Sequence, residues 1–155
     1  VSINPCCPPF CPTLPGFLWF VRNVMGVPQL ALPDAAPVIG YAFSRSLTWV
    51  NRAIQCADPE NYQAAVYNLA GDRLINWAQD TLPQTYFADQ REQYDVTAFQ
   101  AGVVSAAGDD GTNTSIQVAE GFKDLTAADL QNLKTPWGRE YIGIAQSYGT
   151  VWGIS

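Results

Sequence analysis

Two groups of residues in this chain have the means to do chemistry. One is four cysteines, Cys6, Cys7, Cys11 and Cys56; the other is a run of carboxylates, Asp89, Glu92 and Asp95, with Arg91 among them. Thiolates bind metals, exchange disulfides or attack electrophiles. Paired carboxylates do general acid–base work when burial drives their pKa values apart. Neither group has the spacing its chemistry asks for. An all-cysteine zinc site requires four thiolates in a tetrahedron, adjacent cysteines rarely aim at one metal, and no C-x-x-C pair occurs. Buried reduced cysteines acting as small hydrophobes, or a disulfide from the N-terminal segment to Cys56 in an oxidising setting, are the other readings. The carboxylates match no catalytic motif, and solvated loop charges are the plainer reading. Asp109 to Glu120, DDGTNTSIQVAE, has the length of a calcium loop, but Thr114 stands where its glycine should and Gly111 replaces a ligand, so a hairpin turn fits better.

Histidine is absent. That removes Ser-His-Asp and Cys-His nucleophiles, His proton shuttles and His-ligated zinc. The expectation is a chain without catalytic residues, cofactor or metal. Net charge is −6, and the eight Lys and Arg are scattered rather than clustered. Tight phosphate binding draws on clustered cations, so nucleic acid is a poor ligand. The most apolar stretch, Leu14 to Leu32, is interrupted by Arg22, Asn23, Gly26 and Pro28 and falls short of a membrane span. No basic segment precedes it, which argues against a secretory signal and for an intracellular or virion-bound protein.

The elements that must position these residues read as mostly helical. The length of 155 residues suggests one domain, and 48% hydrophobic residues exclude wholesale disorder. Residues 1–15 carry five prolines and form an extended arm. A short aromatic helix follows over 16–26, ended by Gly26 and Pro28. Asp34 is a candidate N-cap for a helix of five turns, whose apolar stripe holds Val38, Ile39, Ala42, Phe43, Leu47, Val50 and Ile54. Asp58, Pro59 and Glu60 start a second helix with Tyr62, Val66, Leu69, Leu74 and Trp77 on a wide apolar face. Only three residues separate the two helices, which predicts an antiparallel pair.

Beyond Leu82 the pattern dissolves into a long connection with a short helix near Asp89–Tyr94. A β-hairpin is expected at about 101–120, with Val104 and Ala106 on one strand, Ile116 and Val118 on the other, and Asp109-Asp110-Gly111 in the turn. Alone such a hairpin is marginal, so it asks for a partner surface. Thr126 and Asp129 start another short helix. Thr135-Pro136 starts the last, TPWGREYIGIAQSYG, which is rich in aromatics with Trp137 and Tyr141; an apolar tail, Val151-Trp152-Gly153-Ile154, follows it. Aromatics in such positions fill cores or protein–protein interfaces, and Trp152 near a free end favours interface.

Two adjacent helices carrying YAFSRSLTWVNRAI and YQAAVYNLAGDRLINWA, a GVVSAAGDD…SIQVA segment and the ending LKTPWGREYIGIAQSYG stand in a fixed order over Pro33 to Gly149. This order resembles the head-to-tail adaptor (connector, or head-completion) proteins of tailed bacteriophages. The ending, a leucine-bearing helix followed by Thr-Pro-aromatic-Gly-x-x-Tyr, is the nearest likeness; the Cys/Pro-rich arm has no counterpart there. The resemblance implies a helical bundle in a homo-oligomeric ring, dodecameric in that family, docked below the portal protein in the virion after assembly in the host cytoplasm. It also implies neck or tail proteins on the far side and genomic DNA passing through the channel without sequence-specific binding. A C-terminal segment contacts the portal in that family, which here would be Tyr148 to Ser155, with Tyr148, Val151, Trp152 and Ile154 as anchors.

The expected architecture is thus a small, mostly α helical bundle with a β-hairpin and extended N- and C-terminal arms: arm 1–15, adaptor domain 16–149 and docking tail 150–155. Helix packing in core and ring falls to Val38, Phe43, Leu47, Val50, Tyr62, Val66, Leu69, Leu74, Trp77, Trp137 and Tyr141. Inter-subunit contact falls to Val104, Asp109, Asp110, Ile116 and Val118. A tail-completion or capsid-surface virion protein, a Cys-dependent metal or redox module, and a carboxylate hydrolase are the alternatives.

Overall fold

Side-chain oxygens and prolines set where the helices begin. Thr13, Asp58 and Thr135 each accept a hydrogen bond from the backbone N–H three residues on, and a proline stands in the first turn of each helix that follows. In the computed structural model, residues 9–97, 106–109, 112–115, 132 and 134–148 are described. They contain six helices: α1 Leu14–Asn23, α2 Pro37–Trp49, α3 Ala53–Ala57, α4 Pro59–Trp77, α5 Tyr86–Gln93 and α6 Pro136–Ser147. The chain is mostly helical, as expected.

Helix α4 is the axis. Val66, Leu69, Ala70, Gly71, Leu74 and Ile75 are all buried, as are its polar residues Asn68 and Asp72. A helix buried nearly all round sits inside a core rather than on its edge, which goes beyond the single wide face expected. Helices α2 and α6 make the most extensive contacts with it, and α1, α3 and α5 complete the surround. Phe17 and Val21 of α1, Phe43 of α2, Ile54 of α3, Phe87 of α5 and Tyr141 and Ile142 of α6 fill the space between. Gly71 makes room for the turn after α1: a Cβ there would meet the Met25 sulfur at 3.0 Å.

Several expected boundaries move. The aromatic helix begins at Leu14, because Thr13 caps it, so the arm ends two residues early. Gln63 Nε2 donates to Cys11 O at 3.2 Å and Thr13 N donates to Tyr67 Oη at 3.1 Å, fixing the described end of the arm on α4 of its own chain. Asp34 does not cap α2. Ala36 holds that position, and Asp34 accepts from Arg22 instead, while Arg22 also donates to the carbonyls of Val27 and Leu32. The five-turn helix is broken. Val50 is extended, Asn51 Oδ1 accepts from Ala53 N at 2.9 Å, and the chain restarts as α3, while Val50 and Ile54 stay buried. The polar Gln55 of α3 is buried as well.

Helix α5 starts three residues before the expected segment. Asp80 supplies its cap from a distance, accepting from Phe87 N at 2.9 Å and Ala88 N at 2.8 Å. Its end is an αL cap: Asp95 has φ 51°, Asp95 N returns to Glu92 O, and Val96 N returns to Arg91 O.

The described strands are β1 Ala106–Asp109 and β2 Thr112–Ser115, antiparallel, with Ala106 opposite Ser115 and Asp109 opposite Thr112. This four-residue ladder does not support the wider hairpin over about 101–120. Val104, Asp110, Ile116 and Val118 lie outside the described residues, as do nearly all of the short helix expected after Thr126 and the tail residues Val151, Trp152 and Ile154.

Candidate functional site

Two places concentrate polar chemistry. The first is the junction of α4 with the start of α6. Asp72 is buried there, and Thr135 Oγ1 donates to its Oδ1 while accepting from Gly138 N at 3.0 Å. One hydroxyl thus caps α6 and anchors it to α4. Gly138 is required, because a Cβ would run into the carbonyl oxygen of Asn132 and lie 2.8 Å from Asp72 Oδ1. Trp137 packs edge-on against Phe20, ring centroids 5.8 Å apart. Each residue of Thr-Pro-Trp-Gly therefore has a packing or capping task inside this chain. Burial pushes the Asp72 carboxyl up to about 7; the Thr135 hydrogen bond and the nearby Arg73 charge oppose that rise without cancelling it. A pKa near neutrality suits an acid or base, but a carboxyl sealed between two helices has no substrate within reach. The junction is structural.

The second place is outward-facing. Tyr41, Arg45 and Trp49 recur every fourth residue on α2, and Arg73 and Trp77 do so on α4. The rings of Tyr41 and Trp77 are 5.3 Å apart. The Arg73 guanidinium lies 5.5 Å from the Trp49 ring centroid and 5.6 Å from that of Trp77. Its Nη1 reaches Ser46 Oγ at 3.4 Å. Partial burial lowers its pKa, with Arg45 adding to that, while Tyr141 and, less strongly, Asp72 act the other way. Tyr41 and Trp49 are nonetheless 58% and 57% exposed. Two guanidinium groups among three open aromatic rings can stack a planar group or receive an oxyanion.

The residues expected to form the core divide. Phe43, Val50, Tyr62, Val66, Leu69, Leu74 and Tyr141 are buried; Val38, Leu47 and Trp137 are partly buried against the same cluster. Trp77, expected on the buried face, is 39% exposed and belongs to the outward aromatic group. Tyr148, expected in the docking tail, is held by its own fold, its Oη accepting from Asn61 Nδ2 at 3.0 Å. Asp89, Glu92 and Asp95 are exposed. Arg91 turns away from them, donating to Ile75 O at 3.1 Å and Ala78 O at 2.7 Å, so no paired acid–base site forms.

Cys56 is exposed and disulfide-bonded, and Cys11 is present as a thiol. A disulfide sulfur is no thiolate, so four cysteines do not converge on one metal here, and the reading of Cys56 as a buried thiol is corrected. Cys6 and Cys7 lie outside the described residues. Among the described residues no group of three or more Cys, Asp or Glu is placed to hold a metal ion, and no helix is long and apolar enough to cross a membrane.

Asp72, and the placing of Arg73 beside Trp49 and Trp77, were not foreseen from the sequence. An arginine between aromatics at i and i+4 was the available signal. Comparison with family models, with curated proteins and with solved structures finds no match.

Proposed function

We propose that the chain is a non-catalytic structural adaptor of a tailed-phage virion. In this reading it forms a ring below the portal, bridges it to neck or tail proteins and lines the DNA channel. The observation that carries the reading is the outward aromatic surface. Trp19 is 63% exposed on α1, and Tyr41, Trp49 and Trp77 are exposed on α2 and α4, whereas Phe17, Phe43, Tyr62, Tyr67, Phe87 and Tyr141 are buried. Trp, Tyr and Arg are the residues that anchor protein interfaces. The resemblance described above supplies the identity of the partners. An acidic subunit suits a conduit that must not retain phosphates.

The test is to mix the protein with its portal and image the product, comparing the full chain with one ending at Gly149. The full chain builds a ring on the portal, and the shortened chain binds it at least tenfold more weakly. Portal binding by neither chain would sink the assignment; equal binding by both would remove the tail from it. A tail-completion or capsid-surface role would show as binding to tail tube or capsid instead.

A further inference from the structure

The aromatic–arginine face carries a more specific reading. Arg73 has a flat guanidinium whose carbon lies over both the Trp49 and the Trp77 ring, 5.5 and 5.6 Å from their centroids. Its N–H groups make one long bond, to Ser46 Oγ at 3.4 Å. Among the described residues the one ion pair is Arg22–Asp34, and no described carboxylate stands within bridging distance of Arg73 or Arg45. A guanidinium set between two indole rings, with N–H donors left over, is suited to a planar oxyanion taken in fork geometry. The chain supplies that group in excess, with 14 acidic against 8 basic residues. Glu60, Glu92 and Glu140 are exposed. A polyanionic backbone is a poorer fit, since two isolated arginines do not make the clustered cationic track that phosphates require.

We infer that this face receives a carboxylate from a second copy of the chain, Arg73 taking it edge-on while Tyr41, Trp49 and Trp77 close over the apolar stem that bears it. The contact is head-to-tail, basic face of one subunit to acidic surface of the next, which is the kind that closes a ring. It rests on the ring reading above and assigns it a surface.

Sedimentation velocity of the full chain, alone and with the portal, tests it. The variants are Arg73→Glu, Arg45→Glu and Trp77→Ala, each checked for an unchanged helical circular-dichroism melt. Arg45 is exposed, so its variant keeps the test informative if Arg73→Glu fails to fold. Self-association is expected to weaken at least tenfold in each variant. One of Glu60→Arg, Glu92→Arg or Glu140→Arg combined with Arg73→Glu restores it. Folded variants that assemble as the native chain does overturn the inference and leave the ring intact. Arg73-dependent pairing without portal binding supports the inference and sinks the adaptor reading. A native chain that stays monomeric with and without portal sinks both. Quenching of tryptophan fluorescence by a single-stranded oligothymidine, lost in Arg73→Glu while self-association persists, would make the face a nucleic-acid platform and overturn it.

Discussion

Asp72 is the residue whose protonation the fold controls most strongly. Its folded pKa of about 7 stands above the ordinary 3.8, because desolvation between α4 and α6 disfavours the charged form. An acid whose pKa rises on folding binds more protons folded than unfolded. Stability therefore falls as pH climbs from about 4 to about 7 and is level on either side. One pKa unit corresponds to about 1.4 kcal/mol, so this group removes on the order of 4 kcal/mol across that window. Asp72→Asn should abolish this slope while keeping an acceptor for Thr135. Urea titrations at pH 4, 6 and 8 (roughly spanning the window) check it, and a slope that survives in the variant would contradict the assignment. None of this was legible in the sequence. Asp72 sits in an Ala-Gly-Asp-Arg stretch that reads as the outer side of a helix, and only the packing of α6 seals it.

At the scale of the element, the start of α6 is where single changes should matter most. Thr135→Ala removes an N-cap, about 1 kcal/mol, and leaves the Asp72 carboxyl without its donor, a further 1–3 kcal/mol. A loss of about 2–4 kcal/mol in chemical denaturation is expected, with Thr135→Ser retaining most of the stability. Gly138→Ala should destabilise at least as much, since the Asn132 carbonyl occupies the space. The opposite sign is expected at Asp95, the left-handed residue closing α5. A non-glycine there costs roughly 1–2 kcal/mol, so Asp95→Gly should raise the melting temperature. These caps divide by locality. Asp58 and Thr135 were readable because they bond three residues ahead. Asp80 capping α5 and Arg91 covering the end of α4 were not, because loop closure brings them together. The break at Val50–Arg52 was hidden because the apolar stripe runs through it unchanged, Val50 and Ile54 being buried on both sides of the kink.

At the scale of the whole molecule, one helix organises the rest, and the described aromatics include a buried group and an outward one. Phe17, Phe43, Tyr67 and Phe87 close the core, while Trp19, Tyr41, Trp49 and Trp77 face out. Periodicity predicted the helical architecture and most core positions. It did not separate Trp77 from Leu74, since both lie on the α4 stripe and only the position of α2 decides which is covered. The final helix, which as a sequence reads as a docking element, closes its own domain through Tyr141, Ile142 and Ala145. In the proposed reading, attachment to other molecules is assigned to the outward aromatic–arginine face and to the tail. Native mass spectrometry of the purified chain with its portal weighs that account most directly. One species holding a closed set of chains per portal ring is expected, lost in Arg73→Glu. A chain that remains single beside an unoccupied portal would contradict it.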